Sequence, residues 1–434
     1  MSESDRLNAI LQREAPACWR ALSDVGRRAA FPMGNPAQSA DAKGTVLNAT
    51  IGQVTDGRGH PLPLPTIASD LDLNDPGKWF LYSPQAGHAD LRKAWAARQR
   101  RLSEGCEVPT SLPLVTHGLT QGLSLVADLF GDPETEVILP DLAWENYELL
   151  FQMRAHCKLR HYPYFHDGGF HVRGFAEALA ATPGKAIVIL GFPGNPSGFT
   201  PKAEQGRQIA DLIVRAPGPL VVVLDDAYAG LVYEEGLQRR SLFWDLIERR
   251  DPERHVLFKI DGATKELFFF PGRVGFLTSD LTGEADKALE SKLKCLGRGT
   301  VGSPPGPSQA LVYDALMDGD LDVQVAERVA DMRLRYKALH FALHDLDTDL
   351  LTPLPFNSGL FALVQVDPSI DADALRKKLI AEYSVGTIVL PEHNALRIAF
   401  CSVRSADLPT LVHRMAEAAE SMRTSGDTPI QRHP

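Results

Sequence analysis

The chain has 434 residues, 44% of them hydrophobic and 23% charged, with a formal net charge of -10. That length exceeds a single small core and implies two domains, while the acidic balance excludes sequence-independent binding to nucleic acid, whose phosphates it would repel. No stretch approaches the ~18 consecutive apolar residues of a membrane-spanning helix, and the five cysteines lack paired spacing, as expected of reduced thiols in a cytoplasmic protein.

The predicted elements begin with a helix over 7–25, within an acidic stretch that lacks the apolar core of a secretory signal. A polar, Gly/Pro-containing segment follows over 31–43. Val46 to Gly52 reads as a strand closed by a glycine. His60 to Pro65 alternates prolines and belongs to no regular element. Tyr82-Ser83-Pro84-Gln85-Ala86-Gly87 is a turn-rich loop, and Ala89 to Arg101 a basic amphipathic helix. Leu112 to Thr116 is a short strand leading through His117-Gly118-Leu119-Thr120 into an apolar helix that runs to Phe130. A strand, glycine turn and helix start can present amides to an anion; the same pattern also makes an ordinary turn.

From Glu136 onward strands and helices alternate. The strands are Glu136 to Leu139, Ala186 to Leu190, Val221 to Leu224, Val256 to Ile260 and Val274 to Thr278; the helices are Trp144 to Ala155 and Pro201 to Val214, the latter capped by Thr200. Unbroken apolar runs suit strands buried on both faces. After a loop at Gly297 to Pro307 comes a long helical segment, Gln309 to Leu346. The end alternates short strands (Gly359 to Val366, Thr387 to Leu390, Leu396 to Phe400) with helices (Asp371 to Ser384, Leu408 to Arg423). The pattern implies an α/β fold: a large domain whose mostly parallel, mixed sheet is covered by helices on both faces, plus a smaller α+β domain. The expected division is 1–60 as an N-terminal arm and part of the small domain, 61–308 as the large domain, and 309–434 as the small C-terminal domain.

Three stretches carry the chemistry. Lys265 stands just past an apolar strand, where ligands of open α/β sheets collect and where an amine can bond a carbonyl cofactor. Arg273 follows eight residues later in Pro271-Gly272-Arg273-Val274-Gly275. Upstream lie Asn195-Pro196-Ser197-Gly198, which alone would be a turn, and Asp225-Asp226-Ala227-Tyr228 at a strand end. In that order the set resembles the class I/II aminotransferases of fold type I, which use pyridoxal 5'-phosphate. The likeness covers about Val46 to Phe400.

The resemblance implies that Lys265 forms a Schiff base with the cofactor and later shuttles the substrate proton. It implies that Asp225 pairs with the pyridine nitrogen; Asp226 is the rival, and side-chain alternation lets only one of the two face the ring. By the same likeness Tyr228 and Asn195 hold the phenolic oxygen, and Trp144 stacks on the ring or else is a helix-start core residue. Gly118, Leu119, Thr120 and Arg273 cup the phosphate. The family commonly has serine where Gly262 stands, and Thr264 is placed to compensate. Tyr82 matches a tyrosine that reaches the neighbouring subunit's cofactor, which implies a homodimer with shared sites. Arg397 matches the clamp for the substrate α-carboxylate, with Gly52 and Asn195 beside it. Arg298 matches an arginine, donated by the partner, that binds a second carboxylate, or is a solvated loop residue.

The activity expected from the likeness is transfer of an amino group between an L-amino acid, with glutamate, aspartate or an aromatic amino acid as candidates, and a 2-oxo acid. A lyase or decarboxylase on the same scaffold is the alternative. A DNA-binding regulator of this fold would need a further N-terminal domain, for which the residues before Val46 are too few. His156, Cys157, His161, His166 and His171 recur at five-residue spacing, but five residues turn a helix by about 500° and share no face, so no metal is expected.

Overall fold

The computed structural model describes residues 38, 39, 41–67, 81–182 and 184–426, with isolated positions before 38. Of the expected helix over 7–25, all but Ala9, Gln12 and Arg13 lies outside the described residues. The strands in chain order are β1 (Leu47–Asn48), β2 (Leu114–His117), β3 (Glu136–Pro140), β4 (Lys158–Tyr162), β5 (Phe165–His166), β6 (Gly169–Phe170), β7 (Ala186–Leu190), β8 (Leu220–Asp225), β9 (His255–Gly262), β10 (Val274–Ser279), β11 (Leu351–Pro353), β12 (Ala362–Val366), β13 (Val385–Gly386), β14 (Ile388–Leu390) and β15 (Ala395–Ile398).

Seven of them form one sheet in the order β2-β10-β9-β8-β7-β3-β4. Strands β9, β8, β7, β3 and β4 run parallel, and β10 is antiparallel to both β9 and β2. Its apolar strands explain the layers. In β8, Val221 and Val223 join one core with Leu119 and Leu123, while Val222 and Leu224 join another with Ile209, Ala210 and Ile213. Each face is therefore dry and covered by helices, as a parallel sheet requires.

The helices that matter for the site are α1 (Ala89–Leu102), α2 (Gly118–Phe130), α3 (Ala203–Arg215), α4 (Ala263–Glu266), α5 (Gly283–Arg298) and α6 (Leu321–His344). A second, antiparallel sheet, β11-β12-β15-β14, packs with helix Ala372–Tyr383, on which helix Leu408–Gly426 packs in turn. Strand β1 pairs in parallel with β13, Leu47 opposite Val385, so the segment before the large sheet is tied to the C-terminal part. Nearby, the Gln38 side chain donates to the Val389 carbonyl at 3.1 Å and accepts from the Val389 amide at 2.5 Å.

Several expected elements differ. Helix α3 starts at Ala203, not Pro201, because Thr200 is used elsewhere: its amide donates to Asn357 Oδ1 at 2.9 Å and its hydroxyl lies 2.8 Å from that of Ser358. The expected helix Trp144 to Ala155 is instead a turn followed by a π-helical stretch, Glu148–Arg154. The single long segment 309–346 is two helices, Gly306–Met317 and α6, parted at Asp318-Gly319-Asp320. Strand β4 was not expected.

Candidate active site

The sheet delivers its chemistry at one edge. The carboxyl ends of β2, β3, β7, β8 and β9 all point to the same side, and there lies a cavity of about 510 Å³. Lining it are Leu119 and Thr120 after β2, Trp144 and Tyr147 after β3, Asn195 after β7, Asp225 and Tyr228 at the end of β8, and Thr264 and Lys265 after β9. Arg273, leading into β10, Arg397 of β15 and Gly52 line it as well.

Lys265 is half-buried, with its amine 5.2 Å from the centre of the Tyr228 ring. Burial lowers its pKa to about 8, opposed by the Asp225 carboxylate and assisted by the Arg273 guanidinium. Asp225 is only 7% exposed. Burial pushes its pKa up; the Tyr147 hydroxyl, donating to Oδ2 at 2.7 Å, and the Lys265 charge pull it back. The Ala227 amide donates to Oδ1 at 3.3 Å. Asp226 continues the alternation to the opposite face, outside the cavity, and pairs there with Lys259 at 3.4 Å. Of the two carboxylates, Asp225 is the one that lines the cavity.

Arg397 is buried, its guanidinium 4.4 Å from the centre of the Phe361 ring. It donates to Asn195 Oδ1 at 3.1 Å and to the Thr50 carbonyl at 3.0 Å, while its Nε has no hydrogen-bond partner among the described residues. Burial lowers its pKa, with Tyr228 opposing. A buried guanidinium that lines a cavity is suited to an anion.

The start of α2 also lines the cavity, through Leu119 and Thr120. Gly118 has φ of +70°, and a Cβ there would sit 2.1 Å from the Arg273 guanidinium, so glycine is needed for the close approach. One expectation is corrected: the Gly118 amide donates to the Arg273 carbonyl at 2.8 Å and is not free for an anion. Leu119 and Thr120 at the helix start, Arg273 and Thr264 line the cavity together, and the Thr264 hydroxyl is buried without a partner among the described residues. Gly262 cannot carry a side chain, since a Cβ would lie 2.6 Å from the Val274 carbonyl oxygen.

Tyr82 is 97% exposed, and Arg298, at the exposed C-terminal end of α5, also lies away from the cavity of its own chain. Sequence reasoning missed Tyr147 and Phe361. The signal for Tyr147 was its spacing of three from Trp144, which a helical turn brings together; the two rings meet edge to face at 5.7 Å. Phe361 had no such signal, because it comes from the second sheet region. Among the described residues no group of His, Cys, Asp and Glu could hold a metal ion, and no helix is long and apolar enough to cross a membrane.

Comparison with known proteins agrees with this geometry. The family described as aminotransferase class I and II matches residues 44–415. Mitochondrial aspartate aminotransferase of Dictyostelium discoideum is 25% identical over 330 residues, 71% of this chain and 75% of that protein. Among solved structures, an aminotransferase of Anaerococcus prevotii superposes with a TM-score of 0.77 at 20% identity, covering 92% of this chain and 98% of its own. Aspartate aminotransferase of Thermus thermophilus, solved with maleate, gives 0.74 at 21% identity, covering 92% and 100%.

Proposed function

We propose a reaction for this chain from one premise: it belongs to the aminotransferase class I and II family. It transfers an amino group from an amino acid to a 2-oxo acid, on the fold of the pyridoxal-phosphate enzymes of type I. The residues present fit that cofactor, since one cavity offers an amine at reduced pKa, a buried carboxylate, an arginine-capped helix start and an unpartnered buried hydroxyl. When bound, pyridoxal 5'-phosphate supplies an aldehyde for an amine and a ring that delocalises the electron pair left when a proton leaves the substrate Cα.

Arg273, Leu119, Thr120 and Thr264 would hold its phosphate, Trp144 its ring face, Asp225 its ring nitrogen, and Asn195 with Tyr228 its phenolic oxygen. Lys265 would bond it and then carry the Cα proton. Arg397 orients the substrate by pairing its guanidinium with the α-carboxylate beside Gly52 and Asn195. The amine and this guanidinium line one cavity, so an amino acid held by its carboxylate would present its Cα to Lys265.

The observation that carries the reading is the joint lining of one cavity by Lys265, Asp225, Arg273 and Arg397. Tyr82 and Arg298, both exposed and both outside that cavity, would serve a neighbouring subunit of a homodimer, Arg298 as the acceptor of a second substrate carboxylate. The test is single-turnover absorption spectroscopy with L-glutamate, L-aspartate, L-alanine and L-tyrosine. Conversion of the cofactor to its amine form with one equivalent of 2-oxo acid is expected, with the acidic pair fastest. Release of carbon dioxide or ammonia instead would favour a decarboxylase or lyase.

A further inference from the structure

Behind Lys265, away from the cavity, four charged side chains are packed out of water. Lys259, Asp226, Asp261 and Glu266 are 2%, 4%, 0% and 6% exposed, too little for solvent to screen them. Lys259 ion-pairs with Asp261 and approaches Asp226; Asp261 also accepts the Trp95 indole N–H at 3.0 Å. Glu266 follows Lys265 in α4. One of its oxygens is 3.5 Å from the Gln99 amide on α1, and the other, Oε1, is buried without a hydrogen-bond partner among the described residues. Arg98, also on α1, is the other cation facing Glu266, and it is held by Asp322 of α6 at 2.5 Å.

The charges do not balance. Three buried carboxylates face one buried lysine and an arginine already committed to a fourth acid. A buried carboxylate without a cation takes up a proton instead of remaining charged.

We propose that Lys259, Asp226, Asp261 and Glu266 form a proton-holding positioning set for Lys265, in which Glu266 is a neutral carboxylic acid at neutral pH. Neutral Glu266 docks α4 against α1 and keeps unpaired negative charge away from the amine one residue before it. An ionised Glu266, buried without a cation of its own, would loosen α4 from α1 and misplace the amine that α4 carries. Burial, reinforced by the charge of Asp261 and opposed by Lys259 and Arg98, pushes the Glu266 carboxyl up to about 8. Burial likewise raises Asp226 to about 6, against the attraction of Lys259. The role given to the set rests on the assignment of Lys265 above; the held proton does not.

The experiment compares the holoenzyme with Glu266→Gln, whose amide copies the shape of the neutral acid. Infrared spectra of the wild type at pH 7 are expected to show a protonated-carboxyl stretch that is missing from E266Q. It should fade above about pH 8, the ratio of acid to carboxylate falling about tenfold per pH unit. Because the folded pKa lies above the unfolded one, the native state keeps a proton that the unfolded chain releases. Wild-type stability should therefore fall relative to E266Q between about pH 4.5 and 8, the unfolding equilibrium shifting by about tenfold per unit. The alkaline limb of wild-type kcat/KM should share the midpoint of the infrared band, and E266Q should lose that limb.

Identical infrared spectra, or superimposable pH profiles of activity, would overturn the proposal. If E266Q does not fold, the wild type decides alone: absence of any protonated-carboxyl band at pH 7 overturns it, and a band fading near pH 8 supports it. A wrong assignment of Lys265 would show separately, as a Lys265→Ala protein that still bonds the cofactor.

Discussion

A lysine amine in a cavity between a carboxylate and a guanidinium titrates by the balance of burial and charge. For Lys265 burial wins, and the amine becomes free base above about pH 8. Reconstitution of the apoprotein with pyridoxal phosphate should accordingly quicken by about tenfold per pH unit below pH 8 and then level off, as stopped-flow absorption would show. The partner of Asp225 is equally specific. Tyr147→Phe removes a hydrogen bond to a charged group, which contributes about 1.5–3 kcal/mol. Steady-state kcat/KM should drop by about ten- to a hundredfold, with a rise in cofactor dissociation constant measured by fluorescence. If Arg397 pairs with the substrate carboxylate, Arg397→Ala should raise KM for the amino acid by a similar factor or more while leaving cofactor affinity intact. At this scale the sequence was informative where a side chain's place depends on its strand position: Lys265 and Asp225, both at strand ends, line the cavity. It was silent where the role depends on a partner far along the chain, as with Phe361 beneath Arg397.

At the scale of elements, the apolar runs of β7, β8, β9 and β10 were readable because burial on both faces leaves no polar alternation to confuse them. Strand β4, Lys-Leu-Arg-His-Tyr at the sheet edge, has only Tyr162 fully buried and looks like loop sequence. The π-helical stretch after Trp144 was also hidden, since an extra residue per turn leaves no compositional mark. The cap of α3 was misread because Thr200 bonds across to Asn357 and Ser358. That same junction gives a prediction. Gly198, three residues after Asn195, has φ of +64°, and an added Cβ would meet the Phe361 carbonyl oxygen at 1.8 Å. Gly198→Ala should cost at least about 2 kcal/mol of stability, measured by urea unfolding, from left-handed strain plus that clash.

The molecule as a whole joins its regions through the site. β15 brings Arg397 to the large sheet's edge, and β1 ties the segment before the large sheet to β13. The alternation of strand and helix predicted the large sheet; no local pattern could predict that β1 would find a partner more than three hundred residues away. If Arg298 serves a neighbouring subunit, mixing inactive Lys265→Ala protein with Arg298→Ala protein should restore about one quarter of wild-type activity toward aspartate, because random mixed dimers carry one intact site. Separate sites would give no recovery. The most direct test of the whole account is borohydride reduction of the holoenzyme followed by peptide mass spectrometry. A single pyridoxyl-phosphate adduct on Lys265 is the result predicted; an adduct on Lys259 or on a surface lysine, with Lys265 unmodified, would contradict it.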